Sequence, residues 1–139
     1  VAGSELDGRT IPHDASLEGL VSKKKDFIGK RSLSRSAFIK QDKKKIVGVV
    51  PLDKTTSIPE GSYIVKDPKA KLPNPKLGHV SASCWSVEYD NPFSLAIIKD
   101  GKNMIGQKLF AMSPLKNKTI PVEIVSSHYV DPEGKRVRA

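Results

Sequence analysis

The chain has a single cysteine, Cys84, so no internal disulfide can form. A disulfide-stapled secreted scaffold and a cysteine-rich zinc site are both excluded. Aromatic residues make up only 6% of the chain. No apolar run approaches the roughly 20 residues that a membrane helix needs. The longest, Ile46–Leu52 and Leu95–Ile98, are the size of strands. There is no phosphate-cradling Gly-rich loop, no G-x-S-x-G elbow and no H-E-x-x-H helix. His13, His79 and His128 lie far apart, and none has a second His or Cys at ligand spacing, which argues against a metal centre. Carboxylates are scattered rather than paired. The start, Val1-Ala2-Gly3, has neither an initiator Met nor the apolar core of a signal peptide. It reads as a cut end, and nothing points to secretion.

What is present fits a folded domain. The 139 residues are 37% hydrophobic and 28% charged, which excludes a disordered tail or a fibrous protein. That length suits one domain, or one domain with part of another. The net charge of +9 is unevenly spread. Between Leu20 and Lys45, ten basic residues face only Asp26 and Asp42, whereas residues 1–19 set Arg9 against Glu5, Asp7, Asp14 and Glu18. A basic stretch of this kind attracts polyanions, be they nucleic acid, phosphate or a polycarboxylate, and equally serves as a solvated surface.

The pattern changes along the chain. Up to about Ile39 it reads as helix and loop. Pro12 suits the first turn of a helix, and Ala15, Leu17, Leu20 and Val21 recur at spacings near three and four. The lysines that follow suit the negative end of such a helix. A second short helix is expected near Gly29, carrying Leu33 and Ala37. From Lys45 on, six short strands are expected: 45–52, 62–66, 78–84, 93–99, 107–112 and 120–127. They are rich in Val, Ile, Ser and aromatics, and Pro, Gly, Asn or Asp lies in most of the gaps. Pro68, Pro73 and Pro75 stiffen the loop before Gly78, and Asp100-Gly101 marks a turn. Pro121 places the last strand at an edge or a bulge. Six short strands suggest a small antiparallel barrel or sandwich; the fold class expected is mainly β, a small antiparallel, Greek-key-like barrel of about six strands preceded by a short helical or loop segment. Val47, Val49, Ile64, Val80, Ala96, Ile98, Leu109, Val122 and Ile124 alternate in a way that points them inward. Leu17, Leu20 and Val21 should either fold back on the barrel or mediate association.

Few residues offer chemistry. Cys84 sits in a strand beside Trp85, where a buried, inert thiol is the default. The segment Ser81–Ser86 is small and polar and ends near a large aromatic. It suits a cleft wall or a strand with one packed Trp, with packing favoured. The tail Tyr129–Arg136 holds a proline turn and a basic cluster. No catalytic constellation appears.

The order of segments carries more. GRTIPHDASLEGL (Gly8–Leu20), VSKKKDFIGKRSL (Val21–Leu33), KIVGVV (Lys45–Val50), Pro59-Glu60-Gly61, GHVSASCWS (Gly78–Ser86), SLAII (Ser94–Ile98), Gly106 and YVDPEGKR (Tyr129–Arg136) follow one another as in a known family. Together they make the chain resemble the C-terminal part of the glycine-cleavage T-protein (aminomethyltransferase) superfamily. Within it, VSKKKDFIGKRSL, GHVSASCWS and the KDGKNMIGQ stretch are most similar to the alpha-subunit branch of heterotetrameric sarcosine oxidases. Val87 stands where the family usually has proline, and Asp90-Asn91 where it usually has Leu-Gly.

The resemblance implies two parts. Residues 1–36 would be the end of a folate-binding domain, and residues 37–139 the C-terminal barrel domain. It implies that the catalytic portion lies upstream and that this chain alone is inactive. It implies tetrahydrofolate as the ligand of the parent enzyme, with FAD, FMN and NAD bound elsewhere in the parent complex. It implies Lys25, with Lys24 beside it, as the basic residues that meet the ligand, and Arg136 as a looser second contact. Folate ends in a glutamate with two carboxylates, to which a lysine donates charge-assisted hydrogen bonds. The implied partners are the other domains and subunits of a cytoplasmic sarcosine oxidase, with nucleic acid disfavoured and no membrane. Alternatives are a fragment of a glycine-cleavage aminomethyltransferase and a basic nucleic-acid-binding barrel. The eight aromatic residues offer that last reading little base stacking.

Overall fold

Six strands close into an antiparallel barrel. They are β1 (Lys44–Pro51), β2 (Tyr63–Val65), β3 (Gly78–Ser86), β4 (Asn91–Lys99), β5 (Lys108–Ser113) and β6 (Lys118–Val125). The computed structural model describes residues 3–40, 42–70 and 75–138. The start Val1-Ala2 and Pro73, both named above, lie outside them. Around the ring the order is β1-β4-β3-β2-β5-β6, and β6 pairs back onto β1. Strands β2, β3 and β4 are successive neighbours and β1 lies beside β4, which makes the first four a Greek key. Every expected strand begins and ends within two residues of an observed one.

Period-two alternation fills the interior. Each of the positions expected to face inward belongs to the core: Val47, Val49, Ile64, Val80, Ala96, Ile98, Leu109, Val122 and Ile124. Ala111 and Ile120 complete the ring, and Ile58, in the long β1–β2 connection, is 1% exposed among them. Burying each Val or Ile is worth about 1.5–3 kcal/mol. Two glycines are dictated by close approach. A Cβ at Gly78 would run into the Ile97 carbonyl of β4, and one at Gly48 would meet the Ser126 carbonyl and the Phe93 ring.

The alternation shifts once, at a bulge between Val80 and Ala82 where β3 pairs with β4. Beyond it Ser83 lies opposite Ser94, and their hydroxyls hydrogen-bond at 2.9 Å. Ser83 Oγ also lies 2.7 Å from the Ile58 carbonyl. The shift also puts Cys84 on the outer face. Cys84 is exposed rather than buried. Trp85 is 52% exposed rather than packed.

Pro121 marks neither an outer edge nor a bulge, because β6 lies between β5 and β1. Its carbonyl accepts from the Leu52 N–H at 3.0 Å, just past the end of β1. A residue's N–H and C=O point to the same side of a strand, so the missing donor falls where β1 has finished and costs no ladder bond.

The first forty residues differ from expectation. No α-helix forms among the described residues; the segment holds 3₁₀ turns at Glu18–Leu20 and Lys30–Ser34. Ser16 adopts a left-handed φ of 59°, which interrupts any right-handed helix opened at Pro12. Gly29, at φ 93°, opens the second turn. Leu17 and Leu20 do not fold back on the barrel: they are 39% and 82% exposed. The segment docks through polar groups instead. Asp14 is buried and pairs with Lys43 and, at 3.0 Å, with Lys45. The Asp14 carbonyl accepts from the Ile46 N–H at 2.7 Å, and Ser16 Oγ donates to the Ile46 carbonyl at 2.8 Å.

Candidate functional site

An open groove of about 1360 Å³ lies within the non-barrel segment. The lysine run Lys23–Lys25 lines it together with Lys30, Arg31 and His13. Val21, Leu33 and Ile39 supply its apolar surface, and Glu18 and Asp26 its acidic groups. The walls are therefore mixed, with a cationic excess beside a greasy strip.

Short local bonds shape the lysine loop. The Lys25 N–H donates to Ser22 Oγ at 2.9 Å. Lys30 turns back, and its ammonium donates to the main-chain carbonyls of Lys23 at 3.2 Å and Lys25 at 2.7 Å. Lys23, Lys24 and Lys25 are exposed, whereas Lys30 is half-buried. Among the described residues the side chains of the run make no ion pair, while a fourth lysine is spent on the backbone. An ammonium presents three donors, so Lys30 retains one beyond those two bonds.

Arg136 lies elsewhere. It does not line this groove. Its guanidinium forks onto both carboxylate oxygens of Glu88, with one bond at 3.1 Å. The pairing holds the Glu88 carboxyl below its ordinary value and raises the guanidinium further. The N–H groups of Lys135 and Arg136 donate to the Asp131 carboxylate at 2.9 and 3.0 Å. The tail is anchored by Tyr129, whose ring stacks on Phe93 with centroids 4.7 Å apart. Its hydroxyl accepts from Asn91 Nδ2 at 3.1 Å. The structure thus brings Lys24 and Lys25 together in one groove and does not bring Arg136 to it.

Three participants escaped the sequence reading. Lys30 carried a signal only as the fourth residue of FIGK. His13 on the groove wall carried none; its Nδ1 is buried without a hydrogen-bond partner among the described residues. Asp14 read as one of several scattered acids, yet it fixes the segment to β1. Burial opposes its ionisation, but hydrogen bonds from Lys43, Lys45 and the Ile11 N–H outweigh that and lower its carboxyl from the ordinary value. At the outer end of the segment, hydrogen bonds from the Arg9 guanidinium lower Asp7 to about 2. Among the described residues no group of three His, Cys, Asp or Glu could hold a metal ion. No helix among them is long and apolar enough to cross a membrane.

A closed six-stranded Greek-key barrel with a polar-docked leading segment defines a small β-barrel domain. The model of the glycine cleavage T-protein C-terminal barrel domain matches residues 44–131, and the chain belongs to that family. It is 36% identical over 138 residues to sarcosine oxidase subunit alpha of Corynebacterium sp. (strain P-1), covering 98% of this chain and 14% of that protein. The figures are the same for the subunit of Corynebacterium sp. (strain U-96). The subunit of Rhizobium meliloti (strain 1021) is 32% identical over 139 residues, covering 99% of this chain and 14% of the relative. The chain thus spans about 14% of the length of these curated relatives. The crystal structure of glycine cleavage system aminomethyltransferase T from Bartonella henselae superposes with a TM-score of 0.67 at 20% identity. It covers 93% of this chain and 34% of that one, a likeness of fold. The resemblance to the T-protein superfamily, and within it to sarcosine oxidase alpha subunits, holds.

Proposed function

We propose that this chain is the C-terminal segment of a sarcosine oxidase alpha subunit and forms part of its tetrahydrofolate-binding region. The parent enzyme oxidatively demethylates sarcosine and passes the one-carbon unit to tetrahydrofolate. The observation that carries this reading is identity of 36% sustained over 98% of the chain. The identity to the aminomethyltransferase of known structure is 20%, so the sarcosine oxidase branch is favoured over a T-protein fragment. Residues 1–36 are read as the end of the folate-binding domain and residues 37–139 as the barrel that closes it. Other domains and subunits, in the cytoplasm, supply the FAD, FMN and NAD sites, and this segment supplies none.

The groove suits folate chemistry. Val21, Leu33 and Ile39 offer an apolar surface to a flat aromatic body, and Lys24 and Lys25 offer cations to a glutamate tail. Tetrahydrofolate supplies the nucleophilic nitrogens that accept the one-carbon unit; this chain's residues bind and orient. Arg136 is a second contact only if it exchanges Glu88 for the ligand. A nucleic-acid surface is disfavoured because the basic stretch is not a continuous free face: Lys43 and Lys45 are taken by Asp14.

The test is a tetrahydrofolate titration of the full-length subunit beside a sarcosine turnover assay. Lys25→Ala should weaken folate binding roughly tenfold, or about 1.4 kcal/mol. Amine oxidation without folate should be unchanged. Equal affinity in both proteins overturns the site assignment.

A further inference from the structure

We infer that Lys30 is a positioning residue: its ammonium closes the loop that presents Lys25 to an anionic ligand. The inference rests on the folate reading above for the ligand, but its structural half stands on this chain alone. The loop from Lys23 to Gly29 belongs to no strand, and the 3₁₀ turn Lys30–Ser34 begins only after it. Its own backbone gives it little, chiefly Lys30 N–H to the Phe27 carbonyl at 3.2 Å. Phe27 and Ile28 do not bury it: they are 38% and 104% exposed. Two bonds from one ammonium, to the Lys23 and Lys25 carbonyls, therefore supply the cross-link. A charged donor makes these stronger than neutral amide bonds. Their geometry also sets direction. With its carbonyl turned toward Lys30 and its N–H toward Ser22, the peptide units on both sides of Lys25 are fixed. That orients the Lys25 side chain without touching it. Lys30 lines the same groove, so it also adds a charge, and the two roles must be separated.

Three variants do so: Lys30→Met removes charge and donor, Lys30→Arg keeps both, and Lys25→Ala removes the presented group. Limited trypsin digestion of this chain, read by mass spectrometry, reports loop closure with no ligand present. Lys30→Met should speed cleavage after Lys23, Lys24 and Lys25 several-fold, with cleavage in the barrel unchanged. Lys30→Arg should restore the slow rate. In the full-length subunit, Lys30→Met should weaken tetrahydrofolate binding about threefold, or about 0.7 kcal/mol. It should add nothing further in a Lys25→Ala background, because its effect runs through Lys25. Additive losses would show that Lys30 acts by its own charge, and would overturn the positioning role. Unchanged cleavage in Lys30→Met overturns it whatever the folate result. Faster cleavage together with unaltered folate affinity in Lys25→Ala supports the loop closure and overturns the folate reading instead.

Discussion

The barrel and the segment before it are held by different forces. In the barrel, apolar side chains from all six strands and the Ile58 connection meet in one continuous core. Among the described residues of the first forty, only Ile11 is a buried hydrophobic, while Leu20, Ile28 and Ile39 are 82%, 104% and 65% exposed. That segment is attached largely through polar contacts, among them Asp14 with Lys43 and Lys45, Glu18 with Lys102, and bonds to the backbone of Ile46. A hydrophobic core is non-directional and tolerates small shifts, whereas a polar seam works only in one geometry. The barrel is accordingly a scaffold, and the segment is an attachment whose remaining apolar surface is available to a neighbour.

The sharpest way to break this contrast is in the core. Ile98→Ala should cost about 2–5 kcal/mol in urea unfolding, because it opens a cavity among residues that cannot collapse. A loss no larger than that of a surface substitution would mean the barrel interior is not the source of stability. Asp14→Ala should come next, with a loss of about 2 kcal/mol: it strands Lys43 and Lys45, which keep some contact with water. The seam should also respond to acid. The folded state lowers the Asp14 carboxyl below its ordinary 3.8. Its contribution is then fully present above that value and is lost as pH falls through the lower, folded-state one. The stability gap between wild type and Asp14→Ala should be complete at pH 6 and shrink below pH 4; a gap independent of pH would remove the ionised seam from the account. Smallest of all, Ile28→Ser should change stability by less than about 0.5 kcal/mol in this chain. A large loss there would show that the exposed face of the segment is packed in solution.

The same contrast explains what was legible in the sequence. Strands announce themselves by alternation and by turn residues, and every barrel position named from alternation faces the core. Counting strands left a barrel and a sandwich both open, and the pairing of β6 with β1 closes the barrel. The bulge at Ser81 left no mark, since Ser, Ala and Ser around it are equally at home on either face; hence Cys84 was expected buried and is exposed. The leading segment misled because its apolar spacing imitates a helix, while its real constraints are long-range. Asp14 finds Lys43, Lys45 and Ile46 only in three dimensions. The site divides likewise. The lysine run could be read directly, but the fold-back of Lys30 and the pairing of Arg136 with Glu88 depend on backbone paths that composition does not encode.

The return of β6 onto β1 has a consequence for how the chain is made. Of the six strands, β1 leaves the ribosome first, and one of its two neighbours leaves last. Until residue 125 has emerged, the nascent sheet is an open ribbon with an unsatisfied row of N–H and C=O groups on one flank of β1. Such a flank invites pairing with another nascent chain. The long sequence separation of the final pairing also makes it entropically costly and slow relative to the hairpins. Arrival of β6 removes that hazard in one step, so a message truncated within the last strand should yield aggregates rather than a slightly weakened domain.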